Sequence, residues 1–414
     1  MEFIKDRQYY KFCGYGFFKN LRFFDPFLML FFVNKGLNYA EIGSLYAIRE
    51  VTINLFEVPS GFMADLFGRK RAMVTSFVAY IVSFLLFYQL NQYLGFILAF
   101  IFYGIGDAFR TGTHKSMILA YIKINGWEAA KTDYYGRTRS WSQRGSAIAA
   151  LISGGVVFIT GDYNSIFLFS IVPYLINVSL LLSYPAYLNG PQISKGKTVR
   201  MIFRDHFKEL KCAFSSFATL RSIVFTSGFT GYYKAVKDYL QPLLVAAAIA
   251  VPLNMEWDES RRSAVLIGIT YSCIYFMTAR ASRSAGQVER WFKSSERALM
   301  LLQVMGHLGG FLAGVAYYFD VTWLAIFLFV IILLVQNFRR PVVVNYLSNQ
   351  FEEHIMATAL SAESQSETLF AALFALVFGF IIDWLGVGSG IGLVSLILLL
   401  GFFMLYGITN GGKK

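Results

Sequence analysis

A seven-residue pattern occurs twice in this chain: glycine, two aromatic residues, lysine and, three positions later, a second basic residue. One copy carries Lys19 and Arg22 and the other carries Lys234 and Lys237, so the copies lie 215 positions apart (234 minus 19). Side chains three positions apart share one face of a helix. Ammonium and guanidinium groups bind carboxylates and phosphates through charge-assisted hydrogen bonds. This cation repeat therefore predicts a two-fold site for a negatively charged ligand.

The composition places these cations in a membrane. Hydrophobic residues make up 56% of the 414 residues and charged residues 15%, against about 25% charged residues in a soluble domain. A charge inside a bilayer costs roughly 2.5–3.5 kcal/mol and usually faces a polar cavity. Arg262, Arg280 and Arg297 stand at span ends and are counted with the loops, and ten of the 37 lysines and arginines lie inside the spans predicted below: Lys19, Arg22, Arg49, Arg110, Lys115, Arg144, Lys234, Lys237, Arg339 and Arg340.

Hydropathy predicts an all-α membrane protein with twelve transmembrane helices, the first of which is itself a span and not a cleaved signal peptide. A long polar stretch separates two six-helix bundles, at residues 1–188 and 222–414, and forms a cytoplasmic linker at 189–221 with an amphipathic helix at 199–217. The predicted spans are 12–33, 41–64, 72–90, 94–122, 140–159, 164–186, 222–248, 262–280, 297–319, 322–345, 357–383 and 388–408.

The loops between these spans predict the orientation of the chain. With the N-terminus inside, the cytoplasmic segments hold 24 lysines and arginines and the outer loops hold three. Cytoplasmic loops of membrane proteins carry such an excess of positive charge. We therefore expect a multi-pass protein of the inner or plasma membrane with both termini in the cytoplasm.

The loop between the second and third spans contains a recognisable motif. It reads Gly61-Phe-Met-Ala-Asp65-Leu-Phe-Gly68-Arg69-Lys70 and resembles the G-x-x-x-D-x-x-G-R-K signature of the major facilitator superfamily of secondary transporters. The resemblance covers essentially the whole chain. It implies two six-helix bundles related by pseudo-two-fold symmetry and alternating access by a rocker-switch motion. It also implies that this motif latches the two halves on the cytoplasmic side.

The same resemblance implies a central cavity lined by the first, fourth, seventh and tenth spans. We expect its substrate-binding residues to be Lys19, Arg22, Arg110, His114, Lys234, Lys237, Arg339, Tyr233 and Gln241. The many aromatic residues of these helices favour an organic anion over an inorganic one. An alternative stays open, in which each cation is neutralised by a nearby acid: Asp25, Glu50, Glu57, Asp107, Asp238, Glu363 or Glu367.

Proton coupling would need a carboxyl group in the low dielectric of the membrane, where it can bind a proton. Glu57 is the best isolated candidate, because Asp25 and Asp107 lie near cations. The fifth span, between Gly145 and Gly155, lacks the proline of the G-P-x-x-G-G motif that drug:proton antiporters of the superfamily carry. We predict a secondary active transporter, coupled to an ion such as the proton, of a small organic anion or zwitterion that bears a carboxylate or a phosphate. The alternatives are a proton-coupled exporter of amphipathic drug-like molecules, which the missing proline disfavours, and a lipid flippase.

Other function classes lack their sequence signatures. Four scattered histidines and three distant cysteines show no metal-ligand spacing, and no phosphate-binding glycine loop or catalytic triad is present. The basic residues are spread over many loops, whereas nucleic-acid binding needs a patch. We expect no enzyme activity, no cofactor and no metal. The expected partners of this monomer are a small-molecule anion, a coupling ion and the lipid bilayer.

Overall fold

The structure, a computed structural model, describes residues 3–190, Arg204, 217–250, 257–292, 294–351 and 353–410. All regular secondary structure in these residues is helical, which confirms the predicted all-α class. The α-helices are α1 (Arg7–Lys19), α2 (Leu28–Asn34), α3 (Tyr39–Phe67), α4 (Arg69–Gln89), α5 (Tyr93–Arg110), α6 (Thr113–Ile124), α7 (Lys131–Thr160), α8 (Ser165–Leu182), α9 (Phe217–Val236), α10 (Leu240–Ala250), α11 (Glu259–Phe292), α12 (Ser295–Tyr318), α13 (Thr322–Gln350), α14 (Glu353–Leu385) and α15 (Val387–Asn410).

Within the described residues, nine helical stretches are long and apolar enough to cross a membrane. They correspond to the third to sixth and the eighth to twelfth predicted spans. The second span, helix α3, is also long but contains five acidic or basic residues. The first and seventh spans are each divided into two shorter helices. The helices are thus consistent with the predicted twelve spans.

Both divided spans break at the cation repeat. Helix α1 ends at Lys19, and a 3-10 turn at Asp25–Phe27 precedes α2. Helix α9 ends at Val236, and a 3-10 turn at Lys237–Tyr239 precedes α10. A proline follows each repeat, at positions 26 and 242, and proline removes a helical hydrogen bond and clashes with the preceding turn. The spans predicted at 12–33 and 222–248 are therefore helical but interrupted, and these interruptions were not predicted.

Broken helices have a known use in transporters. The free backbone groups at a break can bind ions and substrates, and irregular backbone is tolerated in a membrane only inside protein or beside a polar cavity. The two copies of the cation repeat therefore lie where the backbone itself can contribute to a binding site.

The described chain forms two compact units. The first contains residues from Met1–Phe27, Ile48–Ser216 and Gly268–Phe276, and the second contains residues from Leu28–Ala47, Phe217–Ile267 and Met277–Lys414. The predicted bundle boundaries and the 189–221 linker stay predictions, since nearly all of the linker and of its amphipathic helix lies outside the described residues.

The first unit packs around helix α4, which lies against α5 and α8. An aromatic cluster of Tyr80, Phe84 and Tyr174 fills its centre, with ring centroids 4.9–6.3 Å apart. Gly106 packs on the ring of Tyr80, where any larger residue would collide with the ring or with the carbonyl of Ser76. Small residues at such crossings let membrane helices approach closely.

The second unit packs α9 against α14, and α12 against α13 and α15. Its N-terminal segment, residues 28–47, packs on α14 through two glycines. A Cβ at Gly43 would collide with the carbonyl of Ala375, and one at Gly379 with the carbonyl of Tyr39. Helix α14 thus holds the start of α3 by direct backbone contact.

The first turn of α3 is capped from two sides. Both carboxylate oxygens of Asp383 accept hydrogen bonds, from the backbone N–H groups of Tyr39 and Ala40, each at 2.8 Å. Asn38 and Glu41 form a reciprocal capping box with distances of 2.8 and 3.0 Å. A carboxylate at a helix N-terminus is also stabilised by the helix dipole.

We expect Asp383→Ala to lower the thermal stability of the purified protein, because it removes the two hydrogen bonds that cap α3. The loss should lie near the roughly 0.5–2 kcal/mol typical of an N-cap. Glu128→Ala is the matched control, since Glu128 is exposed and makes no hydrogen bond or ion pair within the described part of the chain. Equal melting temperatures for the two variants would contradict the cap.

Candidate functional site: a cation cluster in the first unit

The end of α1 and the end of α5 bring together four charged residues, Lys19, Arg22, Asp107 and Arg110. Asp107 Oδ1 lies 2.5 Å from Arg110 Nη2 and 3.7 Å from Arg22 Nη2. The hydroxyl of Tyr80 donates to the same oxygen at 2.5 Å and accepts from Arg110 Nε at 3.0 Å. One carboxylate oxygen therefore contacts two guanidinium groups and the hydroxyl of a tyrosine. We call Lys19, Arg22, Asp107 and Arg110 the cation cluster.

Positive charge exceeds negative charge in the cation cluster. Its three cations face Asp107, and Asp25 also acts on Arg22, so a net charge of at least +1 remains. Within the part of the chain that the structure describes, the Lys19 ammonium makes no hydrogen bond or ion pair. Arg22 Nε is buried and has no hydrogen-bond partner there either. The cluster thus offers unused donors and unbalanced charge.

Aromatic rings surround the cation cluster. The guanidinium carbon of Arg22 lies 5.9 Å from the ring centroid of Tyr103, a distance typical of a cation–π contact. The hydroxyl of Tyr174 donates to the backbone carbonyl of Lys19 at 3.3 Å. His114 stacks on the ring of Tyr15 at 3.6 Å, and its Nε2 lies 3.1 Å from the hydroxyl of Tyr184. His114 is therefore part of an aromatic packing layer.

The second copy of the cation repeat has different surroundings, all within the second unit. Lys237 Nζ lies 2.7 Å from Asp238 Oδ1, and Lys234 Nζ lies 4.0 Å from Glu367 Oε2. Each lysine thus has a carboxylate close by. For this copy, the geometry favours the neutralised alternative that the sequence left open.

Two other residues of the predicted site lie near this copy. Gln241 is fully buried, and its Oε1 accepts hydrogen bonds from the backbone N–H groups of Met29 and Leu30 at 2.9 and 3.4 Å. It caps the helix that follows the first break. Tyr233 is half-buried on α9. The substrate-binding roles of these two residues stay predictions.

Arg339 is also fully buried in the second unit. Its guanidinium donates to Thr230 Oγ1 at 3.2 Å and to the backbone carbonyls of Phe225 and Thr226 at 3.0 and 2.7 Å. These bonds tie α13 to α9, so its geometry favours a structural role. Its Nε has no hydrogen-bond partner among the described residues.

The predicted coupling residues lie in different settings. Asp107 Oδ1 accepts hydrogen bonds from the hydroxyl of Tyr80 and from the guanidinium of Arg110. Glu57 is half-buried on α3, where its backbone carbonyl accepts a hydrogen bond from Ser60 Oγ at 2.8 Å. Asp25 begins the 3-10 turn after the first break. Their part in coupling stays a prediction.

The signature loop fastens helix ends within the first unit. Gly68 has a positive φ of 92°, which joins α3 to α4 in a turn that other residues rarely adopt. Lys70 Nζ donates to the backbone carbonyls of Leu182 and Tyr184 at the end of α8, and Arg69 reaches the carbonyl of Ser116 at 3.4 Å. The Lys70 contact is of the kind by which cations stabilise helix C-termini.

The remaining motif residues are exposed. Neither Gly61 nor Asp65 is buried, and Asp65 makes no hydrogen bond or ion pair with any residue that the structure describes. A Cβ at Gly61 would meet open space. The latch role of the motif stays a prediction.

One group of charges in the second unit was predicted only as possible counter-ions and not as a pair. Glu363 and Glu367 lie on one face of α14, both nearly buried, and Arg340 Nη1 lies 3.4 Å from Glu367 Oε1. The spacing of four between the two acids was the available signal, because i and i+4 share a helix face.

We expect Asp107→Asn to destabilise the protein, because it leaves Arg22 and Arg110 without their shared carboxylate. Removing one partner of a buried ion pair costs about 3–5 kcal/mol, and the partial exposure of this one places the loss at the lower end. Adding Arg110→Gln should restore part of the melting temperature. Asp133→Asn, which breaks only the exposed pair with Arg137, is the control. A double variant less stable than Asp107→Asn alone would contradict this account.

Comparisons with known proteins agree with the fold. The sequence model of the Major Facilitator Superfamily matches residues 20–362. A relative from Bacillus subtilis (strain 168), "Uncharacterized MFS-type transporter YxaM", is 24% identical over 387 residues, which cover 91% of this chain and 89% of the relative.

Two solved structures also resemble the chain. The nucleoside transporter NupG has a TM-score of 0.75 at 12% identity and covers 97% of this chain and 99% of its own. A POT family transporter in complex with 5-aminolevulinic acid has a TM-score of 0.73 at 11% identity, covering 99% and 97%. At such identities the likeness shows the fold alone.

Proposed function

Because the chain belongs to the major facilitator superfamily and is a secondary transporter of that type, we propose that it moves a small organic anion or zwitterion across the membrane. The transported molecule bears a carboxylate or a phosphate, and the motion is alternating access of the rocker-switch kind. The observation that carries the proposal is the unbalanced positive charge of the cation cluster, with the Lys19 ammonium unpartnered within the described residues.

The positive charge of the cation cluster has a free-energy cost in the membrane. Each cation inside a membrane costs roughly 2.5–3.5 kcal/mol unless something compensates it. Asp107 compensates for part of the cluster, and Tyr80 and Tyr103 add a phenol and a ring face. An anionic ligand would supply the missing charge and accept hydrogen bonds from Lys19 and from Arg22 Nε. The aromatic rings would then contact its organic part.

The setting of the transporter completes the proposal. The distribution of lysines and arginines favours a protein of the inner or plasma membrane with cytoplasmic termini, and a proton or another ion drives accumulation. The roles of Lys234, Lys237, Tyr233, Gln241 and Arg339 in substrate binding remain predictions, since the first two have carboxylates beside them and the last is fully buried.

We expect the double change Lys19→Gln and Arg22→Gln to weaken binding of an anion far more than binding of its uncharged analogue. A hydrogen bond to a charged group contributes about 1.5–3 kcal/mol, which corresponds to about tenfold or more in affinity. The measurement is calorimetric binding of organic carboxylates and phosphates, each paired with its amide or alcohol, to the full-length protein. Lys123→Gln, which removes an exposed cation at the end of α6, is the control.

Three results would contradict the proposal. One is equal loss for the anion and the neutral analogue. The second is a ligand that proves to be cationic. The third is preferred binding of long-chain lipids, which would favour the flippase alternative.

We expect Asp65→Asn to slow transport of the bound anion without lowering the melting temperature. The Asp65 side chain is exposed and makes no hydrogen bond or ion pair with any residue that the structure describes, so any defect would come from the transport cycle. Uptake into vesicles and thermal unfolding of the same preparation separate the two effects. Wild-type rates in the variant would remove the latch role of the motif.

A further inference from the structure

A buried pair of carboxyl groups lies on helix α14, within the second unit. Glu363 and Glu367 are only 7% and 5% exposed. They are four positions apart, so they share one face of the helix, and each carboxyl group acts electrostatically on the other. Two ionised carboxylates that share a buried site repel each other, which favours a bound proton on one of them.

The two members of the pair differ in their ionic partners. Glu367 lies 4.0 Å from Lys234 Nζ and 3.4 Å from Arg340 Nη1. Glu363 has no ion pair with any residue that the structure describes. Cations thus stabilise the ionised form of Glu367, and Glu363 is the member of the pair better suited to hold a proton.

A second, independent observation is the buried guanidinium of Arg339. Arg339 is fully buried, its charge acts on both Glu363 and Glu367, and its Nε has no hydrogen-bond partner among the described residues. It has no carboxylate within ion-pair distance there either. A buried cation without a paired anion is costly, so the site contains a donor that a second carboxylate would satisfy.

Within the described residues, the cations that act on the pair lie on two neighbouring helices. Helix α9 contributes Lys234, and helix α13 contributes Arg339 and Arg340. Helix α15, which also packs on α14, contains no acidic, basic or histidine side chain. Three cations thus surround one carboxylate and one carboxyl group, and loss of the proton would bring the negative charges closer to balance.

We propose that the Glu363–Glu367 pair is the proton-binding site that couples the proton gradient to transport. In this proposal the proton is held by Glu363, beside the ionised Glu367. On release, the O–H bond of Glu363 breaks, the proton passes to water, and the new carboxylate is neutralised by Arg339. Since both acids are nearly buried, release requires a conformational change that admits water, which links protonation to the transport cycle. This inference rests on the proposed transport function.

The internal repeat shows that the two acids occur in only one half of the chain. Ser364-Gln365 on α14 repeats Ser142-Gln143 on α7. In that register, Glu363 and Glu367 correspond to Trp141 and Gly145, so the first half of the chain has no acid at either position. A purely architectural pair, required by the packing of this helix, would be expected in both halves. The acids are instead specific to the second unit, as a coupling site needs to be present only once.

Infrared difference spectroscopy tests the proton site without any substrate. The full-length protein in lipid vesicles is taken from acid to alkaline pH, and the carbonyl stretch of a buried protonated carboxyl group is followed. We expect this band in the wild type, its loss in Glu363→Gln, and a shifted band in Glu367→Gln, where an amide replaces the ionised acceptor. Glu57→Gln, which changes an acid of α3, should keep the band.

Two controls keep the test decisive. Glu363→Gln is nearly isosteric, and its circular dichroism and size-exclusion profile show whether it folds. If it does not, Glu363→Asp serves, and it should retain a band with altered frequency and midpoint. A band that survives unchanged in folded Glu363→Gln, or that disappears in Glu57→Gln, would overturn the assignment.

Transport assays separate this inference from the proposed function. With an anion found in the binding experiments, Glu363→Gln should lose accumulation driven by a pH gradient and retain exchange without a gradient. Accumulation at the wild-type level in that variant would overturn the coupling role. A carboxyl band with no anion binding would contradict the substrate proposal alone, whereas anion binding without the band would contradict the proton site alone.

Discussion

Charge buried in a low-dielectric environment is the constraint on which this structure depends. A membrane helix gains stability from apolar side chains and loses it with each ion, so every buried ion needs a counter-ion, a dipole or a polar cavity. The signature loop meets this need with helix C-termini, where Lys70 binds the carbonyls that end α8. Arg339 meets it with backbone carbonyls of α9. Within the described residues, the positive and negative charges are not fully balanced in the cation cluster or around the carboxyl pair.

The cation cluster and the carboxyl pair differ in charge, so the two halves of the chain differ in what they can bind. Both copies of the cation repeat lie at helix breaks, but only Lys19 and Arg22 keep donors without partners in the described residues. In the second copy, Lys234 lies beside Glu367 and so belongs to the carboxyl pair. In the proposed function, the two copies of the repeat have different tasks: excess positive charge binds a substrate anion in one half, and a carboxyl pair binds a proton in the other.

Much of the fold could be predicted from the sequence, because hydropathy and the Gly61–Lys70 motif are local signals. The all-α class, the position of most spans and the family follow from them. The helix breaks were not predicted, although Pro26 and Pro242 were visible, because proline alone does not tell a kink from a full break. Ion pairing was the least predictable feature. The sequence shows that Asp238 follows Lys237, but not that Arg22 lies beside Asp107 or Lys234 beside Glu367, since such partners depend on how helices turn against each other.

The position of a bound anion tests the central claim most directly. Cryo-electron microscopy of the full-length protein with the tightest-binding organic anion would show it. The account predicts the carboxylate or phosphate within hydrogen-bonding distance, about 3 Å, of Lys19 Nζ and the Arg22 guanidinium, with its organic part against the rings of Tyr103 and Tyr174. An anionic group bound elsewhere, with Lys19 and Arg22 paired to protein carboxylates, would contradict it.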